Sequence, residues 1–286
     1  MNPANPIKKA PPNDLGALLR HWRDMRGISQ LDLSFNAGVS QRHISFIESG
    51  RSVPSRQMLM DIAQALDIPL RERNTLLLAA GYAPMYADPA WNAQEMQSVT
   101  KALGRMLRQH EPFPALVMDR YWNVLMTNES APRFFNCFID MTARKGPRNM
   151  LHLMFDPDGL RPFVADWKSV ADSLIQRVYR EAVGRVIDER TRELVAALRA
   201  YPDVPLGENA ERQAGADSAT AAAAMPVIPI GFVKDGHVLR YFSMVASVGT
   251  PQTVAAQELR IECMFPADDE TEARHLEMLD ALPLRD

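Results

Sequence analysis

The chain has 286 residues, 47% of them apolar, and its 32 Lys and Arg against 35 Asp and Glu leave a net charge of −3. That length exceeds the usual single domain and that apolar content suffices for two cores, so two domains are expected. Only Cys137 and Cys263 are present, without CxxC spacing, which argues against a disulfide frame or zinc site, and no apolar run approaches the roughly 18 residues that span a bilayer.

With no apolar leader at the N-terminus either, the expected setting is soluble, reducing and cytoplasmic. Residues 1–12 carry Pro3, Pro6, Pro11, Pro12 and the pair Lys8 and Lys9. Such a segment cannot hold a helix and reads as a flexible arm. From Leu15 the pattern changes, because Leu15, Leu18, Leu19 and Trp22 fall on one stripe of an amphipathic helix.

The stretch from Ile28 to Ser55 is the most informative in the chain. Ser29 suits the N-cap of one short helix, whose inward residues Leu33, Ser34 and Ala37 are small enough for close approach. Gly38 supplies a turn that needs positive φ, Val39 plugs the corner, and Ser40 caps a second helix. On that second helix Ile44 and Ile47 point inward and leave Gln41, Arg42 and Ser45 on the outer face. Glutamine and arginine make bidentate hydrogen bonds to adenine and guanine edges, so this pair of helices reads as a DNA-binding unit. Charge agrees with that placement: residues 1–60 hold eight basic and four acidic residues, a balance of +4, and the remainder holds 24 against 31, a balance of −7.

Two more helices follow, one capped by Ser55 and running through Leu59, Ile62, Ala63 and Leu66, the other opening at Pro69. The phrases LGALLRHWRDMRGISQ, GVSQRHISFIESGRSVPS and LMDIAQALDIP resemble the Xre family of phage-repressor-like helix-turn-helix regulators over residues 14–81. The resemblance implies a lambda-repressor-like five-helix domain over 13–82 that binds double-stranded operator DNA. It implies that Gln41, Arg42 and Ser45 read bases beside the capping Ser40. Gln30 would touch a phosphate and brace Gln41, Arg51 and Arg56 would hold phosphates, and Arg23 and Glu48 would form a structural ion pair.

Residues 83–94, with Pro84 and Pro89, read as a linker. Beyond it the pattern is mixed. A helix to Gln109 carries Leu103, Met106 and Leu107; ALVMD and WNVLMTN form a hairpin about Asp119 to Tyr121; and helices broken at Pro157 and Pro162 lead into one long helix from Trp167 to about Ala200. The alanine- and acid-rich stretch 203–224 reads as a mobile insert, with a possible helical run at Ala219 to Ala224. Strands VIPIGFV, LRYFSMVAS and ELRIECMF and a last helix, Glu270 to Leu279, complete the chain.

The phrases FPALVMDRYWNVLMTN, PRNMLHLMFDPDGLRPFVADW and VGTPQTVAAQELRIECMFPADDETEARHL resemble the MmyB-like ligand-binding domain. That implies an α+β PAS-like domain over 95–286 that binds a ligand and dimerises. Trp122, Met126, Phe134, Phe135, Met154, Phe155, Trp167 and Phe242 are the large apolar residues that would line its cavity, against the plainer reading that they fill a core.

Six histidines lack metal-ligand spacing and no nucleophile elbow or phosphate loop occurs, so neither a metal, a cofactor nor catalysis is expected. Asp188, Glu189 and Arg192 are read as solvated helix charges. The expected function is a homodimeric transcriptional regulator, a repressor by family habit, that responds to an apolar or amphipathic molecule such as a fatty acid. Two other readings stay open: a regulator whose second domain only dimerises, and an antitoxin whose second domain binds a protein partner.

Overall fold

The computed structural model describes residues 15–185, 187–204 and 229–281. The expected arm over 1–12, residues 205–224 of the expected insert with its Ala219 to Ala224 run, and the first two residues of VIPIGFV lie outside them. The chain forms two compact units, one comprising the residues up to Asp88 together with 251–257, the other 89–250 and the residues from 258 onward.

The first unit is five helices: α1 (Leu15–Met25), α2 (Gln30–Ala37), α3 (Gln41–Glu48), α4 (Arg56–Ala65) and α5 (Leu70–Ala79). Their ends are written in the local sequence. Ser29, Ser40 and Ser55 each accept a backbone N–H of the helix they precede, and Asp32 returns a bond to Ser29 to complete a capping box. Gly38 takes φ +64° between α2 and α3, where a Cβ would be strained. Leu19, Trp22, Leu33, Ile44, Ile47, Leu59 and Ile62 form the core. Helix α1 presses on the end of α3 so closely that a Cβ on Gly16 would lie 2.5 Å from the Glu48 carbonyl oxygen.

Residues 83–88, read from sequence as linker, are part of this unit. The Asn74 side chain ties them down, accepting from the amides of Met85 and Tyr86 and donating to the Tyr86 carbonyl. Residues 251–257 complete it from far along the chain. There a single helical turn, Val254–Gln257, buries Val254 and Ala256, the Val254 amide donates to the Ala87 carbonyl, and Gln257 Oε1 accepts from the Leu70 amide at 2.7 Å. That last bond gives α5 the N-terminal acceptor that its own cap, Pro69, cannot offer.

The second unit is an antiparallel sheet of five strands with helices. In chain order it runs α6 (Gln97–Gln109), β1 (Ala115–Met118), β2 (Val124–Thr127), α7 (Ser130–Asn136), α8 (Met150–Phe155), α9 (Trp167–Arg180), α10 (Glu189–Arg199), β3 (Ile230–Lys234), β4 (His237–Ala246), β5 (Arg260–Pro266) and α11 (Asp269–Asp280). The strand order is β2-β1-β5-β4-β3. One face of the sheet, through Leu116, Met118, Leu239, Tyr241 and Met264, joins Phe134, Phe155 and Phe232 in the main core.

Two expectations change here. The second hairpin strand begins at Val124 rather than Trp122, because Trp122 sits at φ +67° in the turn. The single long helix is two, α9 and α10. Gly184 adopts φ +63° between them and Asp188 starts α10 as an N-cap accepting from Thr191 N, so a glycine and an N-cap residue break the helix where no proline does.

Candidate nucleic-acid interface and ligand cavity

Helix α3 presents Gln41 and Arg42 in its first turn, both exposed, while Ile44, Ile47 and Glu48 are buried on the opposite side. Ser45 is half-buried and Ser40 exposed. Arg42 and Arg51 both stack on the Phe46 ring, at 5.2 and 5.9 Å from its centroid, and Arg56 stacks on Tyr82 at 5.6 Å. All three arginines are exposed, so the edge around Phe46 offers two guanidinium groups steadied by its ring to a polyanion, and Arg56 offers a third steadied by Tyr82.

Behind this edge the helices are locked by one carboxylate. Glu48, 4% exposed, accepts from Arg23 through two bonds of 2.7 and 3.2 Å and from Gln30 Nε2 at 2.8 Å. The hydrogen bond to Glu48, opposed by burial, holds Arg23 above the ordinary arginine value. Arg23 and Glu48 thus join α1 to α3, as expected from the sequence. Gln30 differs: its amide nitrogen is engaged by Glu48 rather than bracing Gln41.

In the second unit the eight residues expected to line a cavity scatter. Phe134, Met154 and Phe155 are in the filled core, and Trp167 packs edge-on against Phe155 at 5.0 Å. Met126 is paired with Val117 on the other face of the sheet, and Phe242, between the inward Tyr241 and Ser243, stacks on Phe265 at 5.5 Å on that same outer face. Phe135 alone of the eight borders a hollow, of about 400 Å3, between the β1–β2 hairpin, α7 and α8.

That hollow has an uneven chemistry. Leu116, Val124, Phe135, Met141, Met150 and Leu153 make its walls mostly apolar, Thr127 and Asn149 add polar groups, and two arginines, Arg144 and Arg148, also line it while no carboxylate does. Arg144 donates to Asp156 at 2.7 Å, its side chain is only 10% exposed, and its Nη2 has no hydrogen-bond partner. Burial works against the Asp156 charge, but the bond from Arg144 and the Asp158 amide hold its carboxyl below the usual range.

Trp122 has a role that its sequence context does not show. Its ring lies under two guanidinium groups, Arg260 at 4.3 Å and Arg177 at 4.9 Å, and those arginines pair with Glu181 and Glu262. Burial lowers the Arg260 value; for Arg177 the paired carboxylates outweigh burial and raise it. Beside this cluster Asp188 accepts from Tyr121 Oη at 2.7 Å, and burial together with that bond pushes the phenol up to about 12. The network is fully paired by charge and joins α9 to β5, which marks it as structural cement rather than an open site.

These two units, a helix-turn-helix head and a helix-covered sheet with a hollow, define a transcription regulator. Residues 19–73 match the family described as helix-turn-helix, here of Xre type, and residues 99–278 match the MmyB-like transcription regulator ligand binding domain. The chain belongs to the MmyB-like transcription regulators. A 52-residue stretch is 42% identical to the uncharacterized HTH-type transcriptional regulator y4dL of Sinorhizobium fredii (strain NBRC 101917 / NGR234), covering 18% of this chain and 26% of that protein. The match therefore spans about a quarter of that relative's length. Among solved structures, the restriction-modification controller protein C.AhdI from Aeromonas hydrophila aligns over 22% of this chain and 94% of its own at 32% identity, with a TM-score of 0.21.

Proposed function

We propose that this protein is a DNA-binding repressor that acts as a homodimer on a double-stranded operator and responds to a small amphipathic molecule, of the fatty-acid type, held in its second unit. Base reading falls to Gln41, Arg42 and Ser45, with Gln30, Ser40, Arg51 and Arg56 toward the phosphate backbone. The observation that carries this reading is the exposed first turn of α3, flanked by ring-steadied arginines and backed by a buried ion pair that fixes the helix. The test is a pair of binding titrations, one on DNA upstream of the protein's own gene and one on random duplex, read for a salt-resistant preference for the first. Equal affinity for both overturns the operator reading.

The hollow of about 400 Å3 favours a sensor over a second unit that only dimerises, because it falls within the size range of small-molecule sites. The antiparallel sheet with helices over one face supports the PAS-like description. A route for response exists in the covalent chain: β4 and β5 are the strands on either side of residues 251–257, which belong to the DNA-reading unit. A ligand changes DNA binding by this route only if it favours one arrangement of those strands over another.

A further inference from the structure

We propose that Phe46 is a positioning residue for DNA reading, whose ring holds the base-directed Arg42 and the backbone-directed Arg51 in a fixed relation before DNA arrives. The inference rests on the operator reading above and adds to it the residue that turns two exposed arginines into one preformed contact. Three observations converge. Arg42 and Arg51 stack on the same ring, at 5.2 and 5.9 Å from its centroid. Among the described residues neither guanidinium has a hydrogen bond or ion pair, so no carboxylate competes with the ring for them. Phe46 itself is half-buried, whereas Ile44 and Ile47 beside it on α3 are buried, so the ring lies at the margin of the core with surface left for the two cations.

The backbone brings the two arginines to the ring from either side in sequence. Arg42 precedes Phe46 by one turn of α3, the spacing at which side chains on a helix meet. Arg51 reaches the ring through the C-terminus of that helix. Gly50 takes φ +72°, its amide donates to the Ile47 carbonyl at 3.0 Å, and the Arg51 amide donates to the Phe46 carbonyl at 2.8 Å. This pair of bonds is the Schellman closure, in which the residue after the left-handed glycine packs back on the last turn. Here that residue is an arginine, and the usual apolar contact becomes a cation on a ring. A free arginine gives up much of its rotamer freedom when it binds, whereas one held on a ring has given up part of it already. The gain is largest where geometry is demanding, at the base edges of the operator. It is small on random duplex, where charge dominates and an arginine meets phosphates in many poses.

The experiment is a pair of anisotropy titrations of the full chain, on a duplex that wild type enriches from a random-sequence pool and on a shuffled duplex of the same length, for wild type, Phe46→Leu, Phe46→Met and Phe46→Tyr. Leucine and methionine keep apolar bulk and net charge but remove the ring, while tyrosine keeps it. The two ring-free variants are expected to lose about tenfold on the enriched duplex and less than about twofold on the shuffled one, and Phe46→Tyr to stay within about twofold of wild type on both. In the Phe46→Leu background Arg42→Ala should cost less than it does in wild type, because the two changes remove one shared contact. Nitrogen-15 relaxation of the Arg42 and Arg51 Nε–H groups in DNA-free protein reads the ring contact itself: both groups should be restricted in wild type and Phe46→Tyr and loosen in Phe46→Leu. Melting curves show whether a variant is folded, and the relaxation of wild type stands without any substitution. Equal losses on both duplexes for the ring-free variants, or freely rotating Nε–H groups in wild type, overturn the proposal. A selective wild type beside equally selective ring-free variants overturns this proposal alone, whereas a wild type that enriches no sequence overturns the operator reading and this proposal with it.

Discussion

At the scale of single residues, the reading surface and its support make opposite predictions. Arg42→Ala removes an exposed side chain whose contact within the protein is a stack on the Phe46 ring, so the fold should be little changed while binding to the operator falls by about 1 to 3 kcal/mol with little loss on random duplex. Arg56→Ala should weaken both alike and flatten the salt dependence. Parallel titrations on the two DNAs separate these outcomes. Glu48→Ala, in contrast, strands Arg23 and Gln30 in the interface of α1 and α3, and a broken buried pair costs about 3 to 5 kcal/mol. Thermal melts of the first unit should show it as a large drop in Tm. The sequence exposed Arg42, because a short helix with two inward isoleucines leaves few choices for what faces out, whereas the Arg23–Glu48 pair is implied by the family resemblance. The sequence did not expose Arg144, whose setting depends on Asp156 and on walls from a distant hairpin.

At the scale of elements, local chemistry was readable and long-range pairing was not. Caps at Ser29, Ser40 and Ser55 are decided within four residues, so they stand in the sequence. The cluster at Trp122 depends on partners such as Arg177 and Glu262, 85 residues apart, and no periodicity announces it. The same limit hid the role of His275 on α11. That ring is fully buried, bonded to Tyr241 Oη at 2.8 Å and facing the Pro112 carbonyl at 3.1 Å; burial lowers its pKa despite the carbonyl. His152 on α8 is lowered for the same first reason, burial. Both therefore bind a proton in the unfolded chain before the folded one, so stability is full above the unfolded value of 6.5 and falls as pH drops below it. Denaturant titrations at pH 7.5, 6.0 and 5.0 should show this decline, at most about 1.4 kcal/mol per pH unit for each histidine. His275→Gln should lower stability at pH 7.5 and make the slope shallower; an unchanged slope would assign the effect elsewhere.

At the scale of the whole molecule, a two-fold dimer with one reading helix per chain implies an operator of two inverted half-sites about 10 base pairs apart, or a multiple. Footprinting checks the spacing, and a single unrepeated half-site bound by monomeric protein would contradict it. A second whole-chain expectation concerns residues 251–257. Gln257→Ala leaves the buried Leu70 amide without its acceptor, so hydrogen exchange at the start of α5 should speed up, with a cost of about 1 to 3 kcal/mol to the first unit. No sequence signal hints at this, since residues 251–257 lie between two strand signals and look like an ordinary loop.

That loop bears on how the protein can be taken apart. The reader is not a cassette that ends at Asp88: seven of its residues are encoded between two strands of the other unit. A chimera that joins residues 1–88 to a foreign sensor carries an open seat above the first turn of α5, and a peptide spanning 251–257 added in trans should fill that seat and raise the chimera's melting temperature. Exchange of either unit between related proteins therefore has to carry those seven residues along with the reader, or else leave the reader short of part of its own interior.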